Sequence, residues 1–153
     1  MSQGRRVLIS NRQRKVEVDC KRLRKVAELV LESLGFEGAE LSVLLVSDRR
    51  MQQLNRQYLG RNRPTDVLAF SQWEGGGEAL HPDWLGDVVI SAETAEEQAA
   101  QEGTELNQEL DLLLVHGILH LIGYEHTGGS EEAAVMGRKQ RQLLRRIKKS
   151  LRP

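Results

Sequence analysis

The spacing of apolar positions along the chain predicts alternating strands and helices. Short β-prone apolar runs predict four strands, at residues 7–9, 41–46, 67–70 and 88–91. Apolar residues three or four positions apart predict five helices, at residues 20–34, 49–59, 93–101, 104–122 and 130–150, counting the caps of the last two. This order predicts an α+β fold, in which a small mixed four-stranded sheet is covered by about five helices.

Residue types at the segment ends support these boundaries. Candidate N-caps precede three of the helices: Ser47 or Asp48, Thr104 and Ser130. Gly123 ends the fourth helix, and the glycine-rich residues 72–85 predict a loop. Residues 112–122 are apolar on nearly every side, so we expect the fourth helix to be the buried central one.

Length and composition fit one domain over residues 1–153. Cys20 is the single cysteine, so no disulfide can form within the chain, which fits a reducing compartment. The N-terminal residues contain no apolar run of signal-peptide length. The apolar stretch 112–122 is shorter than the roughly 20 residues that span a bilayer. We therefore expect a cytoplasmic protein with no membrane partner.

Charge is distributed unevenly, although the formal net charge is zero. Residues 1–63 carry 14 Lys or Arg against 7 Asp or Glu, and residues 138–153 carry 8 basic residues and no acidic one. The intervening residues 64–137 carry 15 acidic residues and no Lys or Arg. Two basic segments around an acidic one indicate nucleic-acid binding, or else pair with the acidic segment within the fold.

Three of the four histidines lie in the segment VHGILHLIGYEH, from Val115 to His126. His116 and His120 share a helix face, and Gly123 can turn the chain so that His126 approaches the same point. Three imidazoles with an open fourth position are typical of a catalytic zinc site. Nickel, copper and iron also accept imidazole, and availability favours zinc. The alternative is a set of core histidines, each of which needs a buried polar partner.

The same spacing, H-x3-H-x5-H, occurs in metzincin proteases, which carry Glu directly after the first histidine as the general base. Gly117 occupies that position here. The metal scaffold is therefore similar, but the protease base is missing, and a peptidase is the weaker interpretation.

The segment HGILHLIGYEH resembles the histidine signature of the YbeY family of endoribonucleases, also called rRNA maturation factors. Three more segments match motifs of that family in the same order: LNRQY at 54–58, RPTDVLAFS at 63–71 and LGDVVIS at 85–91. The resemblance covers residues 41–126 directly. It implies that His116, His120 and His126 bind one Zn²⁺ ion and that the protein cleaves RNA.

The chain departs from the family pattern at three positions. Leu59 stands where the family has an arginine implicated in activity, Asn62 replaces an aspartate, and Gln140 stands where glutamate is common. The candidate catalytic residues are therefore two nearby substitutes, Arg61 and Arg63. The candidate RNA-binding residues are Arg56, Arg61, Arg63, Arg145 and Arg146.

The expected function is zinc-dependent, single-strand-preferring cleavage of RNA. The resemblance implies a role in maturing the 3′ end of small-subunit rRNA and in ribosome quality control. Its partners would be rRNA and the ribosome or ribosomal proteins, and DNA is not expected. The alternatives are a ribosome-associated assembly factor whose metal is structural or weakly active, and a metal hydrolase acting on another substrate class.

Overall fold

The computed structural model describes residues 6–62, 65–72, 84–124 and 129–151. Its elements are β1 (Val7–Asn11), α1 (Cys20–Ser33), β2 (Glu40–Val46), α2 (Asp48–Leu59), β3 (Val67–Ser71), β4 (Trp84–Ser91), α3 (Ala92–Glu102), α4 (Leu106–Leu121) and α5 (Ser130–Ser150). The predicted order of strands and helices is confirmed.

The strands form one mixed sheet in the order β1-β2-β4-β3. β1 pairs in parallel with β2, and β2 pairs in parallel with β4. β3 pairs antiparallel with β4 and lies at the edge of the sheet. The α+β class with a mixed four-stranded sheet is therefore confirmed.

Helices cover the two faces of the sheet unequally. The larger core lies between one face and helices α1, α4 and α5, and it includes Val43 and Val88. On the opposite face, Met51 and Leu54 of α2 pack against Val89 in a smaller core. Helix α4 is buried along most of its length, as its apolar pattern predicts. No helix within the described ranges is long and apolar enough to cross a membrane.

The predicted loop at 72–85 is wrong at its C-terminal end, because β4 begins at Trp84 rather than Val88. Gly86 pairs with β2 on one side and β3 on the other. Its φ is +135°, and a Cβ at this position would collide with the Phe70 carbonyl. Gly86 therefore permits a close backbone approach within a strand, whereas its residue type alone indicates a loop.

Two predicted N-caps are displaced by one residue. Thr104 does not cap α4, because its N–H donates to the Ala99 carbonyl at 2.9 Å and so belongs to the end of α3. The N-cap of α4 is Glu105, whose N–H donates to Gln108 Oε1 at 3.0 Å. Ser130 is the first residue of α5, and Gly129 is its N-cap. The remaining candidate, Ser47, caps α2 by accepting from the N–H of Arg50.

Candidate active site

A cleft of about 570 Å³ lies between α4, the edge strand β3 and the C-terminal end of α2. Its described polar and charged lining residues are Asn55, Arg61, Thr65, Asp66, Ser71, His116 and His120. The apolar lining includes Leu59 and Val67. The cleft therefore combines imidazole, guanidinium and carboxylate groups beside the edge of the sheet.

His116 and His120 enter this cleft from consecutive turns of α4. Their ring centroids are 6.2 Å apart, and the ring planes are inclined by 36°. The helix continues through both residues to Leu121, so their relative position is set by regular helical geometry. The structure thus places two of the three predicted metal ligands side by side; His126 lies outside the described residues.

In each of the two rings, one nitrogen forms a hydrogen bond with an oxygen atom. The Nδ1 atom of His116 lies 3.2 Å from Gln140 Oε1, and the Nδ1 atom of His120 lies 3.1 Å from the Tyr124 carbonyl oxygen. Because both oxygens only accept, Nδ1 carries the proton in each neutral ring. The lone pair of each ring then lies on Nε2, and this tautomer suits metal binding.

The donor chemistry fits an imidazole-bound metal such as zinc, because both rings line one cleft and each has its Nδ1 atom hydrogen-bonded to an oxygen. Among the residues at 6–62, 65–72, 84–124 and 129–151, no group of three His, Cys, Asp or Glu side chains is arranged to hold a metal ion. A third protein ligand for such a metal would have to come from outside those ranges, where His126 lies.

Gly117 lies between the two histidines in sequence and packs directly against the sheet. A Cβ at this position would be 2.7 Å from Val88 Cγ1 and 3.4 Å from Val67 Cγ2. The first distance is a clash and the second is already a full contact, so a longer side chain does not fit between α4 and the sheet. The residue that would be the base in a metzincin therefore has no space here, which gives a structural reason for the glycine.

The predicted arginines are in different places. Among the described residues, Arg61 is the arginine that lines the cleft, and its N–H donates to the Asn55 carbonyl at 3.3 Å. This bond follows Gly60, whose φ of +70° turns the chain back after α2. Leu59 also lines the cleft, and the residue is 53% exposed. Arg63 lies outside the described residues.

The other candidate arginines do not line this cleft in the described part of the chain. Arg56 is exposed on the last turn of α2. Arg145 and Arg146 are exposed on α5, where Arg146 lies 3.6 Å from Glu32 of α1. Part of the C-terminal basic segment therefore pairs with an acidic side chain within the fold.

Several cleft residues were not singled out for a role in the site by their sequence pattern. Asp66 accepts from the Val67 N–H at 2.8 Å and from Gln98 Nε2 at 3.3 Å, so its carboxylate is tied to the start of β3 and to α3. Asn55 is only 2% exposed. Asn55 lies in the LNRQY motif and Asp66 lies in the RPTDVLAFS motif, so the sequence signal that could have identified them is their place in these motifs. Burial, followed by the charges of Glu102 and Asp66, raises the pKa of nearby Glu109.

Comparison with known proteins places this arrangement in a family. The family model described as Endoribonuclease YbeY matches residues 8–148. The chain belongs to the YbeY family. An Endoribonuclease YbeY from Geobacter sulfurreducens is 45% identical over 139 residues, covering 90% of this chain and 93% of the relative. Another, from Aquifex aeolicus, is 42% identical over 150 residues, covering 97% and 96%.

A solved structure agrees with this YbeY assignment at the level of the fold. The solution structure of a Thermotoga maritima protein superposes with a TM-score of 0.66 and 26% sequence identity. The alignment covers 95% of this chain and 91% of the other. The sheet and helices that build the cleft therefore recur in an experimentally determined relative.

Proposed function

We propose that this member of the YbeY family is a zinc-dependent endoribonuclease that cleaves single-stranded RNA, acting in the maturation of small-subunit rRNA and in ribosome quality control. The observation that carries the proposal is the pair of histidines that line one cleft together with Arg61, each with its Nδ1 atom hydrogen-bonded to an oxygen. The names of the curated relatives support RNA cleavage. The rRNA substrate and the ribosomal partners are what the family resemblance implies, and a cytoplasmic location is what the apolar pattern and the single cysteine lead us to expect.

His116 and His120 would hold the metal through Nε2, with His126 as the third ligand. A zinc ion in such a site lowers the pKa of bound water towards neutrality and so supplies a nucleophile or base near pH 7. The hydrogen bonds at Nδ1 favour, in both rings, the tautomer whose lone pair lies on Nε2. These two hydrogen bonds would thus orient both rings for metal binding already in the metal-free protein.

Arg61 would bind the phosphodiester in the same cleft. Its guanidinium can donate two parallel hydrogen bonds to phosphoryl oxygens, which become more negative as the phosphorus is attacked. The N–H bond to Asn55 anchors the Arg61 backbone while the side chain stays exposed. Arg61 would thus take the place of the arginine that the family has at position 59, and Arg63 is the second candidate for this role.

The exposed arginines outside the cleft would contribute to substrate affinity. Arg56 on α2 and Arg145 on α5 are positioned at the surface, where contacts with RNA phosphates are independent of base sequence. Their contribution would decrease with salt, whereas a contact inside the cleft would affect the chemical step.

The second candidate function is a ribosome-associated assembly factor in which the metal is structural or weakly active. The observation that favours it is Leu59, an apolar residue that lines the cleft where the family has arginine. A metal hydrolase of another substrate class is the third candidate, and weak, salt-insensitive RNA binding would favour it.

The decisive experiment compares the wild-type protein with His120→Ala on labelled single-stranded and duplex rRNA fragments, with zinc and with chelator. We expect the wild type to cleave the single strand only with metal. The variant should lose cleavage while it keeps a cooperative unfolding transition. A wild type that binds zinc and rRNA without cleaving it would favour the assembly factor. Equal cleavage by His120→Ala would rule out the proposed site.

A further inference from the structure

The two histidines of the cleft obtain their hydrogen-bond partners in different ways. His120 donates to a backbone carbonyl four residues later, so its partner is provided by the local turn after α4. His116 donates to the side chain of Gln140, which lies 24 residues later on α5. The orientation of His116 therefore depends on how α5 packs against α4.

Helix α5 holds Gln140 at a defined position. Its buried residues are Met136, Leu143 and Ile147, and Gln140 lies on the same helical face, four residues after the first and three before the second. This face packs against α4. The amide is therefore brought to His116 by the apolar contacts on both sides of it.

We propose that Gln140 is the positioning residue of His116: its amide oxygen selects the Nδ1–H tautomer and aims Nε2 into the cleft. This inference rests on the proposed metal site and names a residue that tunes it. Partners of this kind influence metal affinity because they fix the orientation of the ligand and its basicity. Gln140 is neutral, and a carboxylate would form a stronger hydrogen bond to the imidazole. The amide thus makes His116 a weaker ligand than a carboxylate partner would.

The first test measures the tautomer in the metal-free protein, through the ¹⁵N chemical shifts of the His116 ring. We expect Nδ1 to be protonated in the wild type and in Gln140→Glu. In Gln140→Leu, which keeps an apolar helix surface but removes the acceptor, the ring should shift towards the other tautomer. The matched control is Gln142→Leu, an exposed glutamine two residues along the same helix. An unchanged tautomer in Gln140→Leu would overturn the proposal.

The second test measures the Zn²⁺ dissociation constant by competition with a chromogenic chelator. Gln140→Leu should weaken binding by roughly 10-fold to 100-fold, the usual effect of losing an outer partner. Gln140→Glu should bind zinc at least as tightly as the wild type, and Gln142→Leu should match it. If Gln140→Leu fails to fold, Gln140→Glu still decides, because weaker zinc binding in that variant would contradict the proposal.

These readouts separate this inference from the proposed function. If the wild type binds zinc but does not cleave RNA, while Gln140→Leu changes both tautomer and affinity, the positioning role stands and the ribonuclease assignment fails. If the wild type cleaves RNA but Gln140→Leu binds zinc like Gln142→Leu, the ribonuclease assignment stands and the positioning role fails.

Discussion

A substitution at Gly117 tests how closely α4, the helix that carries His116 and His120, packs against the sheet. Replacing Gly117 with Ala adds one methyl group, 2.7 Å from Val88 Cγ1 and 3.2 Å from Val88 Cγ2. Contacts between carbon atoms are most favourable at about 3.5–4.0 Å, so α4 or Val88 must move by several tenths of an ångström. Val88 is fully buried and β-branched, so it has little freedom to do so.

Two opposing terms determine the size of the effect. Added volume in a packed core costs about 1–3 kcal/mol, whereas Gly→Ala inside a helix gains about 1 kcal/mol. The expected net loss of unfolding free energy for Gly117→Ala is therefore about 1 kcal/mol. Gly137 in α5 is a matched control, because within the described part of the chain a Cβ there meets only the end of the Arg141 side chain, at 3.4 Å. Gly137→Ala should raise the unfolding free energy by about 1 kcal/mol.

Urea denaturation of both variants, and of Gly117→Ala combined with Val88→Ala, measures these terms. The double variant should be more stable than the sum of its single effects by about 1–2 kcal/mol, because the new methyl group occupies space that Val88 vacates. Additive effects in this cycle, or a Gly117→Ala protein as stabilised as Gly137→Ala, would refute the close packing of α4 on β4.

Three further predictions concern other parts of the molecule. Arg22 and Asp111 form a largely buried two-bond ion pair between α1 and α4, at 2.7 and 2.9 Å. Arg22→Met should therefore lower the free energy of unfolding, measured by chemical denaturation, by about 3 kcal/mol. The double variant Arg22→Met with Asp111→Leu should recover most of this free energy, and no recovery would contradict the pairing. Burial raises the pKa of Asp87, while a hydrogen bond from Ser42 partly offsets this. Asp87 should therefore contribute a loss of unfolding free energy as pH rises from about 4 through its raised pKa, and in a denaturation series against pH this loss should be smaller in Asp87→Asn than in the wild type. Finally, Leu59→Arg should increase the kcat of RNA cleavage if the missing guanidinium limits the rate, with Leu59→Met as the control; an unchanged kcat would indicate that Arg61 or Arg63 already performs this role, or that an arginine at position 59 has no catalytic role.

The predicted elements agree closely with the structure because their signals are local. The apolar spacing within α1, α2 and α4 reports which side of each helix is buried, and the continuous apolar surface of α4 corresponds to its central position. The errors occur where residue type and pairing disagree. Glycine is a residue type that indicates a loop, and Gly86 lies outside the predicted fourth strand. It nevertheless belongs to β4, because the neighbouring strands on both sides pair with its backbone.

The sequence by itself determined that His116 and His120 share one helix face, through their spacing, and that the chain belongs to the YbeY family, through the surrounding motifs. Only the tertiary structure decided which other groups join them. Gln140, on a separate helix, forms a hydrogen bond with His116. Arg61 rather than Arg56 lines the cleft among the described residues, and Gly117 packs against Val88. Those relations join residues that are distant in the chain. They depend on how helices pack on the sheet, which local periodicity does not encode.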